Sequence, residues 1–129
     1  MLGNVDLIKD FYNYFKKQDK LSYLKLCDDN IEWITMRDMP NGGRYVSKQE
    51  VFEQYFPKML SNFKEFHATP EEFLDEGDNV IVLGKYHGIG SGDKKFQSPF
   101  VHVYTIRDKK IIKFRQYTDT IKIQDVLKK

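Results

Sequence analysis

The chain of 129 residues has one cysteine, four prolines and one tryptophan. A lone Cys27 excludes an intrachain disulfide, so packing must hold the fold, and a reducing cytoplasm suits that usage. Neither sign of charge dominates: 21 Lys+Arg against 19 Asp+Glu leave a formal net charge of +2. That is too little for the concentrated positive field that nucleic acid or an anionic membrane requires. No window approaches the roughly 18 apolar residues of a membrane span. The opening residues Met1–Asp6 carry neither a basic stretch nor an apolar one, which predicts no secretory leader and a cytoplasmic location. Repeats, low-complexity tracts and Pro/Ser linkers are missing too, so residues 1–129 read as one domain. His67, His87 and His102 lack metal-ligand spacing, so no metal is expected. The glycines of Gly88–Gly92 join two strands and open no helix, which excludes a phosphate cradle. Ser91 and Ser98 have no nucleophile-elbow context, and no cofactor motif is present.

Aromatic residues are abundant: 10 Phe, 8 Tyr and 1 Trp. Each large ring buries about 150–250 Å², so a short chain can still build a substantial core. Their spacing is helical in the first half. Val5, Ile8, Phe11, Tyr12 and Phe15 recur at three- and four-residue steps, with Asn4 as a candidate cap. Asp19 can cap a second short helix bearing Leu21, Leu24 and Leu26. Ile31–Met36 is β-branched and aromatic, hence a strand, and Pro40–Gly43 is a loop. Ser47 and Glu50 have capping-box spacing before an apolar face from Val51 to Phe63, in which Pro57 must kink or break the helix.

The second half reads as strands: Thr69–Asp75, Asn79–Gly88, Phe96–Arg107 and Lys110–Thr120, with turns at Glu76–Asp78 and Asp108-Lys109. Helices followed by an antiparallel meander predict an α+β fold, three helices across one face of a strongly bent, mostly antiparallel sheet. A two-residue turn at Asp108-Lys109 pairs Phe100 with Tyr117, His102 with Arg115, Tyr104 with Lys113 and Ile106 with Ile111, with Asp119 farther along the same face. The other face then carries Val101, Val103, Thr105, Ile112, Phe114 and Gln116. Alternation allows two packings. Either the apolar face lies under the helices and the mixed face is half-solvated, or the mixed face lines a hollow and the apolar face joins two subunits. One bulge near the turn would exchange the faces.

The first helix ending in Lys17-Gln18-Asp19 and the run Asp28-Asp29-Asn30-Ile31-Glu32-Trp33 resemble SnoaL-like proteins. So do the segments Phe73–Gly84 and Lys110–Asp119. These proteins belong to the superfamily of nuclear transport factor 2, ketosteroid isomerase and the polyketide cyclases. The resemblance implies a cone-shaped barrel, a pocket at its wide end and homodimers formed through the sheet, which favours the hollow-lining packing. Ketosteroid isomerases place a Tyr and two Asp where this chain has Phe11, about Ile34 and about Val101. None of these three can shuttle a proton, so that machinery is absent. An acid/base Asp near the end of the last strand, as in the cyclases, matches Asp119.

Asp119, His102 and Tyr117 are therefore the candidate catalytic residues. Asp119 would act as acid or base if burial raised its pKa, although Arg115 on the same face would oppose that; otherwise it caps or pairs structurally. His102 would relay protons or simply fill the core. Tyr117 would orient a carbonyl or merely pack against Phe100. Tyr14, Trp33, Tyr55, Phe56, Phe100 and Arg115 are candidate ligand contacts. The expected ligand is a small hydrophobic organic compound with a carbonyl, turned over without cofactor by cyclisation, isomerisation or hydration. The alternatives are a non-catalytic ligand binder and an interaction module that dimerises through the sheet.

Overall fold

A computed structural model describes residues 3–128. Helix α1 spans Asn4–Lys16 and starts one residue earlier than expected in capping terms, with Gly3 as its cap. Helix α2, Lys20–Lys25, is capped as predicted: the Asp19 carboxylate accepts from the Ser22 backbone N–H at 3.3 Å. The capping residues before the third helix also engage. Glu50 N–H donates to Ser47 Oγ, and the Glu50 carboxylate accepts from Val46 N–H. That helix is not uniform. Gln49–Tyr55 is π-helical and continues as α3, Phe56–Leu60, with Pro57 in the first α-helical turn. Proline has no N–H to donate, and the start of an α-helix is where none is needed. The expected kink is thus a change of helix type, and the helix ends at Leu60, not Phe63.

Six strands form one sheet: β1 Cys27–Ile34, β2 Arg44–Val46, β3 Phe63–Glu76, β4 Asn79–Gly90, β5 Lys95–Arg107 and β6 Lys110–Thr118. Their spatial order is β2-β1-β6-β5-β4-β3. All neighbours are antiparallel except β1 and β6, which run parallel. The α+β class with helices on a mixed sheet is as expected. β2 and a short helix α4, Thr120–Gln124, are additions, and β1 and β3 each begin earlier than their sequence signals.

The helices cover one face. Ile8 and Phe11 of α1, Val51, Phe52 and Tyr55 of the π-helical segment, and Met59 of α3 pack on Trp33, Val80, Val82, Tyr104 and Phe114 of the sheet. Trp33 and Phe114, register partners on the parallel pair, stack at 3.8 Å between ring centroids. Gly84 faces the same side. A Cβ there would lie 2.3 Å from the Thr69 carbonyl oxygen and 2.5 Å from the Phe100 ring. Overpacking of this kind costs about 1–3 kcal/mol, so Gly84→Ala is expected to lower the free energy of unfolding by that amount, read from urea melts.

The last hairpin departs from its expected register in an instructive way. Asp108 and Lys109 both have positive φ, 52° and 62°, so the two-residue turn forms, and Ile106 faces Ile111. The register then slips between Thr105 and Ile106: Thr105 pairs with Lys113, and beyond that Phe100 pairs with Thr118, Val101 with Tyr117 and His102 with Gln116. One extra residue on β6, Ile112, reverses every later side chain relative to β5. Phe114 and Gln116 therefore join Phe100, His102 and Tyr104 on the helix-covered face, whereas Arg115 and Tyr117 turn outward.

Candidate functional site

On the covered face, alternation along β4 and β5 buries Tyr86 and His102 in a cage of rings. Phe100 lies flat against the imidazole at 3.8 Å and 11°, and Phe114 meets it edge-on at 4.7 Å. Both imidazole nitrogens are bonded. Nδ1 meets the Tyr12 hydroxyl at 2.6 Å, and Nε2 meets the Tyr86 hydroxyl at 2.5 Å. The Gln116 amide nitrogen donates to the Tyr86 oxygen at 2.7 Å, and the Gln116 amide oxygen accepts from Met36 N–H at 3.4 Å. At the other end, the Tyr12 ring meets the Tyr104 ring edge-on at 5.9 Å. A continuous polar chain thus crosses the aromatic core from α1 through three strands.

Burial sets its protonation. It drives the His102 pKa well below the ordinary imidazole value, so the ring is neutral. It pushes the Tyr12, Tyr86 and Tyr104 hydroxyls upward, so all three keep their protons. The site therefore offers uncharged donors and acceptors in apolar surroundings, where hydrogen bonds are strong. Cys27 stands apart, buried with its thiol pushed up to about 12 by desolvation, an inert packing residue.

The structure does not gather the candidate residues into one place. His102 and Phe100 sit together in the cage. Trp33, Tyr55 and Phe56 are neighbours in the helix–sheet core, with Trp33 to Phe56 at 5.4 Å and Tyr55 to Phe56 at 5.0 Å. Tyr14 is half-buried one residue past Asn13 on α1, and Tyr12 makes the contact to His102 instead. Arg115 lies half-buried on the outer face, its Nε buried without a partner among the described residues. Tyr117 is 49% exposed on that face. Asp119 is exposed just past β6, where its backbone oxygen accepts from Ser98 Oγ. The expected cluster of His102, Arg115, Tyr117 and Asp119 is corrected here: the bulge at Ile112 sends the last three away from the imidazole. Tyr12, Tyr86 and Gln116 are the members that the sequence reading missed. Buried alternation on β4 points to Tyr86, but Gln116 follows only once the bulge is placed.

Rings and hydroxyls close around His102: Tyr12, Tyr86, Phe100, Tyr104 and Phe114. Two concavities stand out among the described residues, and both are on the surface. One, of about 500 Å³, is lined by residues including Glu65, His67, His87 and Gln97, and another, of about 610 Å³, lies beside Asp125–Lys128. Neither touches His102 or Asp119. Among the described residues, no group of three or more His, Cys, Asp or Glu is arranged to hold a metal, and no helix is long and apolar enough to cross a membrane.

Similarity to known proteins agrees with this architecture. A family model of the SnoaL-like domain matches residues 8–114. The chain belongs to the SnoaL-like family. An NTF2-like protein from Burkholderia thailandensis superposes with a TM-score of 0.92 at 25% identity, covering 100% of both chains. TerC, co-crystallized with polyporic acid, superposes at 0.87 with 21% identity, over 95% of this chain and 96% of its own. A putative SnoaL-like polyketide cyclase from Shewanella putrefaciens gives 0.78 at 12% identity, over 98% and 97%. No curated protein matches. The SnoaL-like chain thus shares a fold with cyclases, and its own side chains must say which chemistry it supports.

Proposed function

We propose that this SnoaL-like chain binds a small aromatic carbonyl compound on the covered face of its sheet, with the Tyr12 hydroxyl as the polar contact, His102 behind it and Phe100 as a wall. Catalysis there would be cofactor-free, with the Tyr12 hydroxyl holding and polarising the carbonyl oxygen and the neutral His102 ring, bonded to Tyr12 at Nδ1 and to Tyr86 at Nε2, fixing that hydroxyl in place. The observation that carries this reading is the Tyr12–His102–Tyr86–Gln116 chain in an aromatic cage. Few convergent polar groups in an apolar lining are the usual composition of a ligand site. The rim is the weakest cover. Tyr12 is half-buried and meets Phe73 of the edge strand β3 at 6.0 Å, and Phe63 and Phe66 on that strand are half-buried too. A ligand enters by parting α1 from these rings. Asp119 and Tyr117 have no part in the proposed site, because both are exposed away from the cage.

Polyporic acid, an aryl-substituted hydroxyquinone, is a suitable first probe. Calorimetric titration is expected to show saturable binding that Tyr12→Phe weakens by roughly tenfold, the weight of one buried hydrogen bond of about 1–1.5 kcal/mol. Asp119→Asn should leave binding unchanged. Equal loss in both variants, or loss only in Asp119→Asn, would remove His102 and Tyr12 from the site.

A second reading rests on the outer face. Ile81, Leu83, Val101 and Val103 are half-buried there, Tyr117 is exposed, and Arg115 Nε has no partner among the described residues. A second copy across this face would cover the apolar strip. Sedimentation across a concentration range is expected to give a dimer that Val103→Asp converts to monomer. A wild-type monomer at every concentration rejects it.

A further inference from the structure

We propose that Gln116 is a positioning residue: its amide sets the direction of every proton in the buried chain and so makes Tyr12 the group that presents a hydrogen to a ligand. Only the ligand consequence rests on the binding reading above.

Met36 N–H can only donate, so the Gln116 atom facing it is the oxygen, and the NH₂ faces Tyr86. The Tyr86 oxygen therefore already accepts a hydrogen. Its own hydrogen needs an acceptor in a site without water access, and the one within reach is His102 Nε2. A neutral imidazole that accepts at Nε2 carries its proton on Nδ1. Nδ1–H then donates to the Tyr12 oxygen, and the Tyr12 hydrogen is left free to meet a ligand oxygen. The opposite tautomer would aim two donors at the Tyr86 oxygen and strand the Tyr86 hydrogen in apolar surroundings. Gln116 is 5% exposed and touches neither imidazole nitrogen, so it acts through Tyr86 alone.

The direction of the chain defines a ligand class. A carbonyl oxygen arriving at Tyr12 finds an O–H. A ligand N–H finds an oxygen that already accepts from Nδ1. The site therefore selects acceptors over donors of the same shape.

The test is long-range ¹H–¹⁵N NMR of ligand-free protein, which distinguishes a protonated ring nitrogen from a bare one. His102 is expected as a single Nδ1–H tautomer. In Gln116→Met, similar in volume but with no amide, both tautomers should appear while the fold persists. An Nε2–H tautomer in the wild type, or an unchanged Nδ1–H tautomer in the variant, overturns the proposal. The wild-type spectrum decides the tautomer even if the variant does not fold. Ligand selection is read with 9-fluorenone and carbazole, planar tricycles that differ in carrying C=O or N–H. Fluorenone should bind roughly tenfold tighter, as expected when a buried polar pair is matched in one ligand and not the other, and the ratio should fall toward one in Gln116→Met. Equal or tighter carbazole binding rejects the acceptor class. If neither tricycle nor polyporic acid binds, the binding reading fails, whereas the role of Gln116 stands or falls on the tautomer.

Discussion

Trp33→Ala is expected to lower the free energy of unfolding by about 3–5 kcal/mol, the range for truncating a large buried aromatic residue. Trp33 is 4% exposed and links the layers. It stacks on Phe114 within the sheet and meets Phe11, Phe52 and Phe56 from the helices, at centroid distances of 6.3, 5.8 and 5.4 Å. Small side chains cannot collapse into the space because β1 is held on both sides, by β2 and β6. A domain of this size has about 5–15 kcal/mol of total stability, so the variant should be marginal. Trp33→Phe keeps a ring in the stack and should cost far less. Urea unfolding followed by circular dichroism measures both, since the only tryptophan is the one removed. A loss below 1 kcal/mol would mean that the stack is not the junction of the two layers.

Acidification is the second large effect. The His102 pKa is depressed in the folded protein because burial disfavours the imidazolium. Below about pH 6.5 the unfolded chain binds a proton that the native chain refuses, so stability falls as pH falls through that window. The slope approaches about 1.4 kcal/mol per pH unit below that point and persists until the pH reaches the folded-state pKa. Glu32 does not enter that interval. Its carboxyl is held below 4.5, first by the hydrogen bond from Arg44, so its contribution is lost only at more acid pH. His102→Gln retains a donor and an acceptor for the two tyrosines but cannot titrate. Its stability should fall less steeply than the wild type's as the pH drops below about 6.5. Parallel curves would show that His102 titrates normally and is not desolvated.

The sequence made the fold legible where the pattern was local. Asp19 and the Ser47–Glu50 pair cap the helices they were expected to cap, and the Asp108-Lys109 turn is where its residues put it. Strand alternation on β4 and β5 was equally plain, since Val80, Val82 and Tyr86 face Phe100, His102 and Tyr104 on the same side. What failed was one residue of register. Ile112 has no local signature of a bulge, being a β-branched residue in a β-branched run. That single slip exchanged Gln116 for Arg115 beside His102. It also placed Tyr117 and Asp119 on the same face as His102, whereas both are exposed away from it. Tyr12 was visible on the apolar stripe of α1, but its hydroxyl is meaningful only beside an imidazole 90 positions away in the chain.

The central claim is that the Tyr12–His102 pair on the covered face, not the outer face, receives a ligand. NMR titration of the labelled protein with polyporic acid tests it most directly. Saturable shifts are expected at the His102 ring, at Tyr12 and at Phe73, with Tyr117, Asp119 and the His67–His87 groove unmoved. Shifts confined to Tyr117 and Asp119, or to His67 and His87, would place the ligand elsewhere and contradict the account.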